Sequence, residues 1–205
     1  GLRVVRQRGR FMQEACDATR GGMAAIIGLD EAPTREVCAQ AGVVLANLNC
    51  PGQLVISGAA DKIAQACELA KARGARRALP LPVAGAYHSP LMESARPKLQ
   101  AELEAIAIQA PSMPVISNVT AQAHGGAGSI RERLVEQVTS SVRWEESMRT
   151  LVAQGFTRFI ELGPGTNTQA FLKEGEQIQR VESQADIDRL LQQITLIAAD
   201  IRGVT

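Results

Sequence analysis

Between residues 23 and 83 the apolar and polar positions change rhythm in a fixed order. "MAAIIGL" (23–29) is an apolar run of strand length, and "APTREVCAQAG" (32–42) reads as a short helix with Pro33 near its first turn and Gly42 at its end. Two more strands follow. "VVLANLN" (43–49) and "QLVISG" (53–58) flank "CPG", whose proline and glycine suit a reversal. Ser57 is placed to cap the helix in "AADKIAQACELAKARG" (59–74), which Gly74 ends, and "RRALPLPV" (76–83) reads as a closing strand. The order strand, helix, strand, strand, helix, strand is that of a split βαβ, or ferredoxin-like, unit, here residues 21–83.

Downstream the period becomes mixed. "MESARPKLQAELEAIA" (92–107) carries Leu99, Leu103 and Ile106 on one helical face, and "MPVISNV" (113–119) predicts a strand. A soft loop, "TAQAHGGAGS", leads to two helices bearing Ile130, Leu134 and Val138, then Trp144, Met148, Leu151 and Val152. "TRFIELGPG" (157–165) predicts a strand entering a Gly-Pro-Gly turn, and "NTQAFLKEG", a strand at "QRVES" and the helix "ADIDRLLQQITLIAAD" (185–200) follow. Strands alternating with helices favour a parallel α/β layer. The expected class is therefore α/β, with residues 1–20 and 84–205 forming a parallel-sheet domain into which residues 21–83 are inserted.

Composition narrows the functions open to such a fold. The 205 residues are 45% hydrophobic, enough for one or two domains with a real core. A net charge of +1 supplies no overall field toward nucleic acid or lipid headgroups, so a charged partner has to meet a local patch. No apolar run approaches the roughly 18 residues of a membrane span, and no signal-peptide pattern opens the chain. Cys16, Cys38, Cys50 and Cys67 lack C-x-x-C spacing, so reduced thiols in a cytoplasm are expected and a metal site is not.

Five residues break the pattern. In "GLRVVRQRGRFMQEA", already in helical period, Val4, Val5, Phe11, Met12 and Ala15 fall within about 60° of Arg8 at roughly 100° per residue. Arg3, Arg6 and Arg10 lie opposite, where solvent explains them. Arg8 needs an anion, either an internal carboxylate or a ligand carboxylate held by its planar fork. Gln137 projects among Ile130, Leu134 and Val138, as a satisfied structural amide or beside an internal polar group. Asn47 and Asn49 alternate along one side of their strand and can line a polar surface. His88 follows a strand in a Gly-Ala turn, where a loop on a rigid scaffold presents a reactive group or merely a structural one; His124, in a Gly-rich loop, is expected to be solvated.

Six stretches in order, "RQRGRFMQEA", "NLNCPGQLVISG", "RALPLPVAGAYHSPLM", "PVISNVT", "LVEQVTSSVRW" and "FIELGPG", resemble the bacterial malonyl-CoA:acyl carrier protein transacylases. The resemblance implies an α/β-hydrolase-like large domain and a ferredoxin-like small one. It also implies ping-pong transfer of malonyl from coenzyme A to the carrier's phosphopantetheine thiol, through a serine ester, in cytoplasmic fatty acid biosynthesis. His88 would then be general base and acid, the Gln137 main-chain carbonyl would orient it in place of a triad acid, and Arg8 would pair with the malonyl carboxylate. Met12, Asn49 and Tyr87 are expected in the substrate site, the aromatic residue at 87 accompanying malonyl rather than branched units. No cofactor is implied beyond the coenzyme A thioester itself, and a monomer is expected.

The resemblance also implies a Gly-His-Ser-x-Gly elbow and a Gly-Gln-Gly-x-Gln segment upstream of the arginine helix, and neither occurs here. The chain resembles the C-terminal two thirds of the enzyme. Alone it is expected to be inactive, because general-base assistance, worth about 10²- to 10⁴-fold, has no nucleophile to act on. A non-catalytic carrier-binding fragment and a polyketide-type acyltransferase domain are the alternatives. "KARGARR", with Lys71, Arg73, Arg76 and Arg77, is the expected docking patch for an acidic carrier protein; the simpler reading is a solvated helix end that complements the helix dipole.

Overall fold

The structure is a computed structural model that describes residues 1–162, 177–181, 183, 185, 186 and 189. The chain forms two compact units, Gly1–Thr150 and Leu151–Thr205. In the first, α1 (Leu2–Ala18) precedes β1 (Gly21–Ile27), α2 (Glu31–Ala41), β2 (Val44–Cys50), β3 (Gln53–Ala59), α3 (Ala60–Ala72) and β4 (Arg77–Pro80). These strands make one antiparallel sheet in the order β2-β3-β1-β4.

Strand alternation decides what each face buries. Ala24 and Ile26, Leu54 and Ile56, and Leu45 and Leu48 pack with Val37 of α2 and with Ile63 and Ala66 of α3. Met23, Ala46 and Val55 cluster separately with Leu81 and Tyr87. Leu45 and Leu48 join the same cluster although three residues apart, because Ala46 is an extra residue: Leu45 pairs with Ile56 and Asn47 with Val55. A second irregularity sets Asn49 aside, since Leu48 pairs with Leu54 and Cys50 with Gln53. Gly42 ends α2 in the left-handed region, φ 68°, as expected of a helix-terminating glycine.

Elsewhere the structure corrects the pattern. Ser57 does not cap α3; β3 runs on to Ala59, leaving Ser57 inside the strand with its hydroxyl buried and unpaired among the described residues. The first N–H of α3, on Ala60, instead finds the Arg20 carbonyl at 3.0 Å. The helix expected from residue 92 is two pieces, a 3₁₀ turn (Pro90–Met92) and α4 (Ala95–Glu104). Pro97 has no N–H to give to residue 93, so the helix restarts with Pro97 in its first turn. Residues 113–119 do not form a strand; they fold back through a lone Ile116–Ala123 bridge, with Met113 and Val115 exposed.

α5 (Ala127–Glu136) and α6 (Trp144–Ala153) follow, and α1 and α4 share a core of Phe11, Met12, Ala15, Leu99 and Leu103 with Val138. In the second unit β5 (Arg158–Leu162) pairs in parallel with β6 (Gln177–Val181). The predicted elements at "NTQAFLKEG" and, apart from residues 185, 186 and 189, at "ADIDRLLQQITLIAAD" lie outside the described residues. All four cysteines are free and buried, and burial pushes the Cys38 thiol up to about 11. No helix among the described residues is long and apolar enough to cross a membrane.

The link from β4 to the 3₁₀ turn lies tight against α1 and β1. A Cβ on Gly21 would stand 2.6 Å from the Cβ of buried Ala86, and one on Gly85 would overlap the Cys16 sulfur. Gly85→Ala is therefore expected to destabilise the chain by about 1–3 kcal/mol, the range for overpacking a core, in urea unfolding. Cys16→Ala in the same chain should recover part of that loss.

Candidate active site

His88 sits just past that tight link, with φ 57°, in the left-handed region that costs most residues about 1–2 kcal/mol. The following residue fixes the exit. Ser89 is buried, its hydroxyl donates to the Ala86 carbonyl at 2.6 Å and accepts from the Leu91 N–H at 3.2 Å, and Pro90 opens the 3₁₀ turn. The ring's Nδ1 lies 3.0 Å from the Gln137 main-chain oxygen. Gln137 is the C-cap of α5, so its carbonyl belongs to the helix-end set that has no intrahelical donor. With a carbonyl as partner Nδ1 carries the hydrogen, and the lone pair falls on Nε2. That nitrogen can take a proton.

His88 lines a cavity of about 430 Å³ together with Arg8, Gly9, Met12, Met23, Asn47 and Tyr87. Three elements supply these walls: α1, the sheet face away from α2 and α3, and the histidine loop. The arginines of α1 sort as the helical wheel requires. Arg3 meets Glu102 at 3.4 Å, Arg10 meets Glu14 at 3.3 Å, and Arg6 is exposed. Arg8 is half-buried and, among the described residues, has neither a hydrogen bond nor an ion pair. Burial holds its guanidinium below the ordinary value, and no carboxylate among the described residues answers it.

The same cation reaches the imidazole. Burial is the main cause that lowers the His88 pKa below 6.5; the Gln137 carbonyl and, more weakly, that of Ser140 work in the opposite direction, and the Arg8 charge lowers it further. The ring is thus neutral at pH 7. Because the folded value is depressed, the neutral ring's contribution to stability is complete above pH 6.5 and is lost as the pH falls through the lowered folded value.

Met12 and Tyr87 reach the cavity as expected, but Asn49 does not line it and Asn47 does. The bulges on β2 decide this, because they break the alternation that would put both asparagines on one side. Met23 and Gly9 are further lining residues that the pattern did not single out, and both had a local signal, one on β1 and one beside Arg8. Gln137 stands behind the ring, its side-chain Nε2 donating to the Ser140 carbonyl at 2.9 Å. His124 differs from its expected solvated state, for its Nδ1 is buried with no partner among the described residues.

The basic stretch is divided. Lys71 pairs with Glu68 at 2.8 Å, and Arg73 pairs with Glu36 and bonds Gln40, whereas Arg76 and Arg77 are exposed and unpaired among the described residues. Arg77 lies opposite Ile27, four residues along β1 from cavity-lining Met23, or about 13 Å at roughly 3.3 Å per residue.

The family model described as "Acyl transferase domain" matches residues 1–200. The chain belongs to this acyl transferase family. It is 48% identical, over 176 residues, to the malonyl CoA-acyl carrier protein transacylase of Bacillus subtilis (strain 168), covering 83% of this chain and 56% of that relative. Its fold matches the crystal structure of the acyl-carrier-protein S-malonyltransferase from Burkholderia pseudomallei 1710b with a TM-score of 0.86 at 37% identity, over 93% of this chain and 64% of that one. It matches equally, at TM-score 0.86 and 35% identity over the same shares, a malonyl-transacylase solved in complex with its type II polyketide acyl-carrier protein. The chain spans about half the length of the curated relatives it matches.

Within this acyl transferase fold the ring's electrostatics are directly measurable. The His88 imidazole is expected to titrate below 6.5 by NMR, and Arg8→Ala is expected to move its midpoint upward, since the cation is one of the lowering causes. A midpoint unmoved by Arg8→Ala would place the guanidinium out of electrostatic reach.

Proposed function

We propose that this chain carries the histidine and arginine part of a site that moves malonyl from coenzyme A to the phosphopantetheine thiol of acyl carrier protein in fatty acid biosynthesis. The observation that carries this reading is a half-buried guanidinium with no anion among the described residues, lining the same cavity as an imidazole whose Nε2 is free to accept a proton. A malonyl thioester supplies what each lacks. Its carboxylate fits the planar fork of Arg8, and its thioester carbonyl needs a nucleophile that His88 can deprotonate.

In the first half-reaction Nε2 takes the proton of a serine hydroxyl as its oxygen attacks the thioester, and then returns that proton to the departing coenzyme A thiolate. In the second, the ring takes the proton of the carrier's thiol, whose sulfur attacks the serine ester, and gives it back to the serine oxygen. The serine is not among these residues; the proposal takes it from the length of the relatives that this chain does not span. No cofactor is required. The sheet of residues 21–83, in the order β2-β3-β1-β4, supports a ferredoxin-like subdomain, and residues 1–20 with 84–205 are read as part of an α/β-hydrolase-like domain. Met12, Asn47 and Tyr87 shape the malonyl pocket, and exposed Arg76 and Arg77 offer the acidic carrier protein its docking charges.

A chimaera that adds the upstream nucleophile segment of the Bacillus subtilis relative tests the clamp. Arg8→Ala is expected to lower kcat/KM for malonyl loading roughly 30-fold or more, from about 2 kcal/mol or more for a broken buried charge pair, with acetyl loading nearly unchanged. An unchanged malonyl-to-acetyl ratio rejects the clamp, and a chimaera that loads neither acyl group favours the non-catalytic alternative.

In the same chimaera, reversing Arg76 and Arg77 to Glu should slow transfer to the carrier protein while sparing loading from malonyl-CoA, with the defect shrinking as salt rises. Equal loss of both half-reactions counts against docking at this patch.

A further inference from the structure

The turn that presents the Gln137 carbonyl to His88 is tied to the sheet through one side chain. β2 is an edge strand, so its outward backbone groups have no ladder partner within the sheet. The segment after α5 takes them up. The Ser141 hydroxyl donates to the Leu45 carbonyl at 2.5 Å. The next residue is zipped onto the same edge, its N–H donating to the Ala46 carbonyl at 2.8 Å and its carbonyl accepting from the Leu48 N–H at 2.9 Å. These three bonds bracket the bulge at Ala46 that turns Asn47 toward the cavity. On its inner side the turn closes on itself, because the Gln137 side chain donates to the Ser140 carbonyl at 2.9 Å and lies 3.5 Å from that of Ser141.

The carbonyl that sets the imidazole's tautomer is therefore held between the end of α5 and a seam on β2 in which Ser141 supplies the only side-chain bond among the described residues. We infer that Ser141 is a positioning residue that, through the Leu45 carbonyl, fixes the Gln137 carbonyl against the His88 ring and so keeps the ring's hydrogen on Nδ1. Its functional meaning rests on the reading of His88 as general base, whereas the tautomer does not. Without the hydroxyl, the far side of the turn is held to β2 by Val142 alone, its near side keeping the end of α5 and buried Val138, and the Gln137 oxygen loses its fixed direction. The neutral ring then relaxes toward the Nε2–H form that free imidazole prefers, and the lone pair moves to the nitrogen facing away from the cavity.

The chain contains two histidines, so nitrogen NMR of the imidazoles reads this in the polypeptide as it stands. At neutral pH His88 is expected to be predominantly Nδ1–H in the unmodified chain and predominantly Nε2–H in Ser141→Ala. Ser141→Thr, which keeps the hydroxyl, should restore the first state, with His124 unchanged throughout. A Ser141→Ala protein that melts earlier but keeps the Nδ1–H form overturns the inference, because the hydroxyl would then serve stability alone. Should that variant not fold, a denaturant series on the unmodified chain decides. Loss of the Nδ1–H signal together with exchange of the Leu48 and Val142 amides, while α1 amides stay protected, supports the seam; loss only at global unfolding overturns it. Malonyl transfer is not read in either experiment, so failure here is separate from failure of the functional reading.

Discussion

A guanidinium half-shielded from water by the apolar stripe of its own helix favours a balancing anion, and Arg8 is not balanced from within the described residues. Its neighbours on α1 show that the helix has carboxylates to hand: Glu102 answers Arg3 and Glu14 answers Arg10, both on the outward face. An unpaired, partly buried cation carries a desolvation cost that the remaining solvent contact reduces, and the same lowered local dielectric strengthens its pull on any anion that enters the cavity. The penalty and the binding potential are two sides of one arrangement. The arrangement also reaches the imidazole, because the Arg8 charge is among the causes that keep His88 neutral. A carboxylate bound against Arg8 would cancel that charge and make the ring a stronger base.

Such coupling needs the two groups at fixed separation, and the surrounding structure is built to hold them. α1 carries Arg8 and, further along, Cys16, against which Gly85 packs too closely for any side chain. The histidine loop is therefore docked onto the same helix that bears the cation. Its left-handed turn at His88 and the capped 3₁₀ turn behind it leave little freedom in the direction of the ring. The sheet supplies the remaining wall through Met23 and Asn47. Reactive groups on loops are most useful where a rigid scaffold fixes the loop ends, and here helix and sheet fix both.

Arg8 was legible from the sequence because a helical wheel is a local property: one cation inside an apolar stripe needs no tertiary knowledge to look out of place. The six elements from residue 21 to residue 80 were legible for the same reason, as was the Gly42 helix end. Apart from the helix that Pro97 divides, the misses are non-local. Asn47, rather than Asn49, faces the cavity because β2 carries bulges whose register is set by β3. Ser57 resembles a cap until β3 proves to run on to Ala59, and residues 113–119 have strand composition without a strand to pair with among the described residues. The helical pattern singled out Gln137 as meeting an internal polar group, but that its main-chain carbonyl meets His88 came only from the family resemblance, since any residue type carries a carbonyl.

That the ring's partner is a neutral carbonyl has a consequence of its own. A buried carboxylate at Nδ1 would stabilise the imidazolium strongly and raise its pKa, which suits a base that must hold a proton through a slow step. A carbonyl orients the ring and selects the tautomer with a much smaller electrostatic bias, and burial with Arg8 pushes the other way. The result is an imidazole whose protonated form is disfavoured relative to a free ring. In the proposed transfer between two thioesters through an oxygen ester, nearly balanced in free energy, the same ring would serve both directions of both half-reactions. A base poised with its pKa near or below neutrality, rather than locked into its charged form, is the one such a reversible relay requires.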